Sequence, residues 1–167
     1  MAIGISQGAG CLSEITHDET MLGAGESMCR ITVRDPAIRP EPFGIMESFS
    51  TFEFLTPWIA LNQQHAKKFY DLKGKPERDA FMQKLLTAHV TTLAKSLDYE
   101  IPEPIICEAK VRFRIDRIGR ENVMVFLGKF RTNLSIPDYL GIGRSVSQGY
   151  GTIKRITESP DIYSGEP

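Results

Sequence analysis

The residues best equipped for chemistry lie between Gly141 and Gly151, where the chain reads Gly-Ile-Gly-Arg-Ser-Val-Ser-Gln-Gly-Tyr-Gly. Two Gly-x-Gly pairs bracket one arginine, two hydroxyls and an amide, and two cations, Lys154 and Arg155, follow directly. Glycine tolerates positive φ and has no Cβ to hold another backbone away, so the main chain at Gly141, Gly143, Gly149 and Gly151 can approach an anion closely. Arg144, Ser145, Gln148, Lys154 and Arg155 would add charge and hydrogen-bond donors to such a site. The bland reading stands beside it, because most glycine-rich segments are only turns.

A second cationic feature lies upstream. Lys110, Arg112 and Arg114 alternate with Val111, Phe113 and Ile115, the period-two pattern of a strand with one apolar and one cationic face. At strand rise, alternate side chains stand about 7 Å apart, close to the spacing of successive phosphates in an extended nucleic-acid strand. A solvated sheet face would give the same pattern. The formal net charge of −1 hides an asymmetry. Residues 1–47 hold three arginines against seven carboxylates, while residues 108–155 hold ten Lys or Arg against four carboxylates. The basic block, taken with the glycine loop, points to a polyanionic partner.

The elements that position these residues can be read in order. Residues 1–47 give a strand end at Ile3–Ile5, a turn at Gln7–Gly10, a short helix or edge at Leu12–Thr16 and a strand at Met28–Val33. Pro36, Pro40 and Pro42 then mark a linker. From Ser48 the aromatic and β-branched residues Phe49, Thr51, Phe52 and Phe54 predict a mainly buried strand, ended by Pro57. Asn62–Tyr70 reads as a short helix. Pro76 with Glu77 and Asp79 opens a long one, with Phe81, Leu85, Leu93 and Leu97 in one row and Met82, Leu86, Val90 and Ala94 in the next. His89 falls in the first row where an apolar residue belongs, and reads as a histidine satisfied by a local partner. Cys107–Asp116 and Val123–Arg131 should pair as an antiparallel hairpin across Gly119, and Gly151–Thr157 supplies the last strand.

The resulting order is strand, helix, strand, strand, at most one helical turn at Ile136–Leu140 with the glycine loop, strand. That is an α+β, ferredoxin-like (split βαβ, RRM-like) domain over residues 48–157, its second helix largely replaced by the loop. A partial second ferredoxin-like segment would occupy residues 1–47, and residues 158–167 form a polar tail.

Composition sets the outer limits. At 167 residues, with 41% hydrophobic and 25% charged residues, the chain is an ordinary globular protein able to build one core. No apolar run approaches the roughly 20 residues of a membrane-spanning helix, and residues 1–29 contain no Lys or Arg to start a secretory signal. These features assign the cytoplasm and no membrane partner. Cys11, Cys29 and Cys107 are odd in number and widely spaced, which suits a reducing compartment, and Cys11, His17 and Cys29 match no zinc spacing. No metal or cofactor is expected.

The loop, placed just before the last strand of such a fold, resembles the carboxy-terminal glycine-rich signature of the RAMP superfamily. Within it the likeness is to the endoribonucleases that cut CRISPR precursor transcripts within their repeats, and Phe52–Asn62 resembles the opening of the carboxy-terminal domain in one subgroup. The resemblance implies CRISPR repeat RNA as the partner, and metal-free cleavage by attack of a ribose 2′-hydroxyl on the adjacent phosphate. It implies phosphate contacts from the glycine loop, Arg144, Lys154 and Arg155, extended by Arg112 and Arg114. The family's catalytic histidine usually comes from an amino-terminal domain, for which residues 1–47 are too few, and His17 has no spacing that places it near the loop. No catalytic residue is therefore assigned. The chain is expected either to have its true start upstream or to be a naturally short relative.

Two other functions fit the same residues. One is a non-catalytic RNA-binding scaffold subunit of a CRISPR ribonucleoprotein, whose incomplete amino-terminal segment would need other effector subunits or a second copy of the chain. The other is a ferredoxin-like module whose loop cradles a nucleotide phosphate, although no Gly-x-x-x-x-Gly-Lys-Ser/Thr occurs.

Overall fold

The computed structural model describes residues 20–24, 27–31 and 40–156. The sequence-predicted elements at Ile3–Ile5, Gln7–Gly10 and Leu12–Thr16, the residues Cys11, His17 and Pro36, and the tail lie outside them. The chain divides into two compact units, Met1–Glu41 and Pro42–Pro167. In the first, β1 (Thr20–Ala24) pairs antiparallel with β2 (Ser27–Ile31), with Leu22 opposite Cys29. The sequence pattern anticipates β2 but not β1, where Gly23 and Ala24 give no alternating apolar signal.

The second unit is built from β3 (Gly44–Phe54), α1 (Gln63–Asp71), α2 (Lys75–Ser96), β4 (Cys107–Ile118), β5 (Glu121–Ser135) and β6 (Ile153–Ile156). The strands form one antiparallel sheet in the order β4-β5-β3-β6. This is the ferredoxin-like, split βαβ arrangement, with the helices covering one face. The segment between β5 and β6 holds only a single 3₁₀ turn, Val146–Gln148, in place of a second long helix.

Local chemistry explains the helix ends. Asn62 caps α1 by accepting the His65 N–H on Oδ1 at 2.7 Å. Pro76 occupies the first turn of α2, where its missing N–H costs nothing, and Glu77 accepts the Lys73 N–H at 3.2 Å. From α2, Met82, Leu85, Leu86, Val90 and Ala94 are buried against the sheet, meeting Phe52, Phe54, Phe126 and Phe130 in one core. Trp58 is fully buried among them, stacked on Phe54 with ring centroids 5.2 Å apart. Large aromatics of this kind dominate core stability, each costing about 3–5 kcal/mol when cut to alanine.

Two strands depart from their sequence reading. β3 begins at Gly44 rather than Ser48, yet only its second half is buried. Its pairing with β5 shifts register between Ile45 and Ser50, so Phe49 stands 41% exposed, with the Arg131 guanidinium 5.3 Å from its ring centre. A bulge turns a strand's side chains off the regular faces, which alternation in sequence cannot reveal. β4 carries its apolar residues on the face predicted, but Phe113 and Ile115 are 45% and 50% exposed. Phe69 of α1 meets Phe113 edge-on and Met124, opposite Ile115, is still buried, but the β4–β5 hairpin runs on beyond the helical cover to Gly119.

Candidate nucleic-acid interface

The glycine loop is held by the segment that continues β3. After Phe54 the chain jogs and resumes pairing, so that Trp58 lies opposite Phe126 of β5 and Ile59 lies opposite Arg144. The Arg144 N–H donates to the Ile59 carbonyl at 3.1 Å, and the Gly151 N–H donates to the Pro57 carbonyl at 2.9 Å. Within the loop the Ile142 N–H reaches Gly151, and the Gln148, Gly149 and Tyr150 amides turn back to Ser145 and Val146. Most of the loop's donors are therefore spent on its own shape, which narrows the anion cradle anticipated from sequence.

The glycines divide accordingly. A Cβ on Gly143 would come 2.5 Å from Trp58 Nε1, one on Gly151 would meet the Ile142 carbonyl oxygen, and one on Gly141 would strike Val146. Gly149 faces open space and needs glycine only for its φ of +86°. Gly143 thus lets the loop pack on Trp58 and Ile59, and Gly141 and Gly151 let it fold closely on itself. What the loop offers outward is the exposed side chains of Arg144, Ser145, Val146, Ser147 and Gln148. Ser145 itself adopts a left-handed backbone, φ +56°, to start the 3₁₀ turn.

The strand cations fall on two faces. Pairing sets Lys154 of β6 beside Glu53, Glu53 beside Lys129 and Lys129 beside Lys110, a row crossing the sheet face opposite the helices. Arg112 and Arg114 project from that same face of β4, and both are exposed. Arg114 is bridged to Asp116 at 2.8 Å. Lys154 sits with its Nζ 5.8 Å from the Tyr139 ring centre. Arg155 points the other way. Its guanidinium donates to Ser135 Oγ at 2.8 Å and to the Ile136 carbonyl at 3.4 Å, and lies 5.5 Å from the ring centre of buried Phe52. Arg144 and β4 flank Trp58 and β5 on opposite sides, so Arg144 stands level with Arg114, three strand spacings or roughly 14 Å across, and Arg112 lies further along β4.

Beneath the loop lies a residue that the sequence pattern leaves as a locally satisfied histidine. His89 of α2 accepts the Trp58 indole N–H on Nδ1 at 3.3 Å, and it is indeed satisfied there. It also borders a shallow cavity of about 190 Å³ together with Gly141 and Gly143. Burial, then the nearby charges of His65 and Arg144, hold its pKa below the usual 6.5. With Nδ1 occupied, the neutral ring carries its proton on Nε2. The only sequence signal for this placement is a histidine interrupting an apolar row. Among the described residues, His, Cys, Asp and Glu nowhere gather in threes, and no helix is long and apolar enough to cross a membrane.

Comparison with known proteins matches this architecture. The family model described as the Cas6b C-terminal domain covers residues 44–156, from the first residue of β3 to the last of β6. The uncharacterized protein MJ0978 of Methanocaldococcus jannaschii is 30% identical over 122 residues, 72% of this chain and 82% of its own. A crystal structure of Cas6b superposes with a TM-score of 0.67 at 31% identity, over 70% of this chain and 68% of that one. The crystal structure titled CRISPR RNA processing endoribonuclease Cas6b gives a TM-score of 0.70 at 26% identity, over 90% of this chain and 72% of that one. The extent of the family match, taken with the loop pinned over Trp58 ahead of the last strand, shows that the chain belongs to the Cas6b C-terminal domain family.

Proposed function

We propose that this protein binds CRISPR repeat RNA and acts in the cleavage of precursor transcripts within their repeats. The observation that carries the reading is the family match over 44–156, which encloses the whole sheet and the glycine loop. The solved relative bearing the name of a CRISPR RNA processing endoribonuclease supports the substrate class. Arg144, Ser145 and Gln148 on the loop, with Lys154, Arg112 and Arg114 on the sheet face opposite the helices, supply the phosphate contacts. Arg155 is better placed to brace the sheet end than to meet RNA.

The reaction proposed is attack of a 2′-hydroxyl on the adjacent phosphate without a metal, leaving a cyclic phosphate and a 5′-hydroxyl. It needs a base, an acid and donors for the charge on the phosphorane. Arg144 is the side chain best suited to the last role. The test incubates the protein with repeat RNA in a chelator and maps the ends. Cyclic phosphate and 5′-hydroxyl products support the enzyme, and products formed only with added metal overturn the metal-free step.

One observation favours the scaffold alternative, in which the chain holds repeat RNA within a larger assembly or beside a second copy without cutting it. His89, beside the loop, has Nδ1 committed to the Trp58 indole and its proton on Nε2, so neither nitrogen is free to take up a proton. Tight binding with intact RNA would establish that alternative.

A further inference from the structure

The groove between the loop and α2 holds polar groups that phosphate binding leaves unused. His89, Thr92 and Ser96 follow one another at spacings of three and four along one face of α2, and they border the 190 Å³ cavity with Leu93, Gly143 and Val146. Their hydrogen-bond valences are set by what they already bond. The Trp58 indole occupies His89 Nδ1, which leaves Nε2–H as a donor. Thr92 Oγ1 donates its proton to the Ala88 carbonyl at 2.9 Å, and Ser96 Oγ donates to the Leu93 carbonyl at 2.7 Å. With those protons engaged, both hydroxyl oxygens keep acceptor lone pairs.

Among the side chains, one donor beside two acceptors suits a phosphate poorly. A phosphate oxygen only accepts, so it would gain the His89 proton and meet the lone pairs of Thr92 and Ser96. A nucleobase edge carries amino donors next to ring-nitrogen or carbonyl acceptors, which is the complementary pattern. Leu93 and the half-exposed Val146 give the ring faces apolar surface, and Gly143, with no side chain, leaves the wall flat.

We propose that this groove takes one unpaired nucleobase of the repeat RNA, read on its edge by His89, Thr92 and Ser96. The inference rests on the RNA-binding reading of the same loop and adds a specificity contact to it. Arg144, next to Gly143 in the chain, then holds the phosphate that follows the base.

The test measures affinity for repeat RNA carrying single abasic sites, scanned through its unpaired positions, with the unaltered protein and with Thr92→Val. Thr92 is exposed, so the isosteric change leaves the fold intact, which urea denaturation checks. One abasic position is expected to weaken binding to the unaltered protein about tenfold, and Thr92→Val to weaken intact RNA to a similar extent. The same abasic site should then cost Thr92→Val almost nothing, and the salt dependence of binding should be the same for both proteins. Equal abasic penalties in the two proteins, or full affinity in Thr92→Val, overturn the nucleobase groove while leaving the RNA-binding reading in place. No binding of repeat RNA by the unaltered protein at low salt overturns that reading itself, and the groove with it.

Discussion

Gly143 lies so close to Trp58 that a Cβ at this position would stand 2.5 Å from the indole nitrogen and 2.9 Å from the Ile59 carbonyl oxygen. Its φ of +99° excludes most side chains independently of space. The loop is thus anchored on the buried indole, and the indole in turn on His89. Gly143→Ala is expected to destabilise the protein by about 1–3 kcal/mol, because neither the fully buried Trp58 nor the backbone can retreat. Gly149→Ala, with nothing within reach, should cost only the left-handed backbone, about 1 kcal/mol. Urea denaturation of the two variants checks the difference. Equal losses would mean that the loop is not seated on Trp58.

The Trp58–His89 hydrogen bond gives a pH dependence with a definite sign. Burial and the charges of His65 and Arg144 depress the folded-state pKa of His89 below the unfolded value. Well above about pH 6.5 both states hold the ring neutral, and this group leaves stability independent of pH. Below it the unfolded chain takes up the proton first, so stability falls with falling pH until the folded-state pKa is passed. His89→Asn places Oδ1 where Nδ1 accepts the indole proton, and cannot titrate. Between about pH 7.5 and pH 5.5 the unaltered protein should lose more stability than His89→Asn. Parallel stability profiles for the two would show that His89 titrates as in the unfolded chain.

Much of this site is legible in sequence, and the part that is not has a physical reason. The order of strands and helices, the hairpin across Gly119 and the stripe on α2 follow from periodicity, which reports burial directly. The glycine loop is visible by composition, but its purpose is not. Glycine marks close approach without saying to what, and here Gly143 and Gly151 approach Trp58 and Ile142. Phe49 and Phe113 read as core because alternation cannot register a bulge, or a hairpin that outruns its helices. His89 reads as a local exception because its partner lies 31 residues away and its neighbour, the loop, more than 50.

Arg112 and Arg155 are indistinguishable as cations in the sequence, and the fold separates them. Arg112 stands exposed on the open face of β4, beside Leu127, whereas Arg155 is fastened to Ser135 and Ile136 at the end of the core face. Arg112→Gln is expected to lower repeat-RNA affinity and to reduce by about one the slope of log affinity against log salt, with an unchanged urea midpoint. Arg155→Gln should do the reverse. It should cost about 1–2 kcal/mol of stability through the lost charged hydrogen bonds, and leave the salt slope as it was. Binding isotherms across a salt series, run beside urea denaturation of both variants, read the two effects separately. A reduced slope for Arg155→Gln would place its guanidinium on the RNA. An unaltered slope for Arg112→Gln would remove the Arg112 guanidinium from the binding surface.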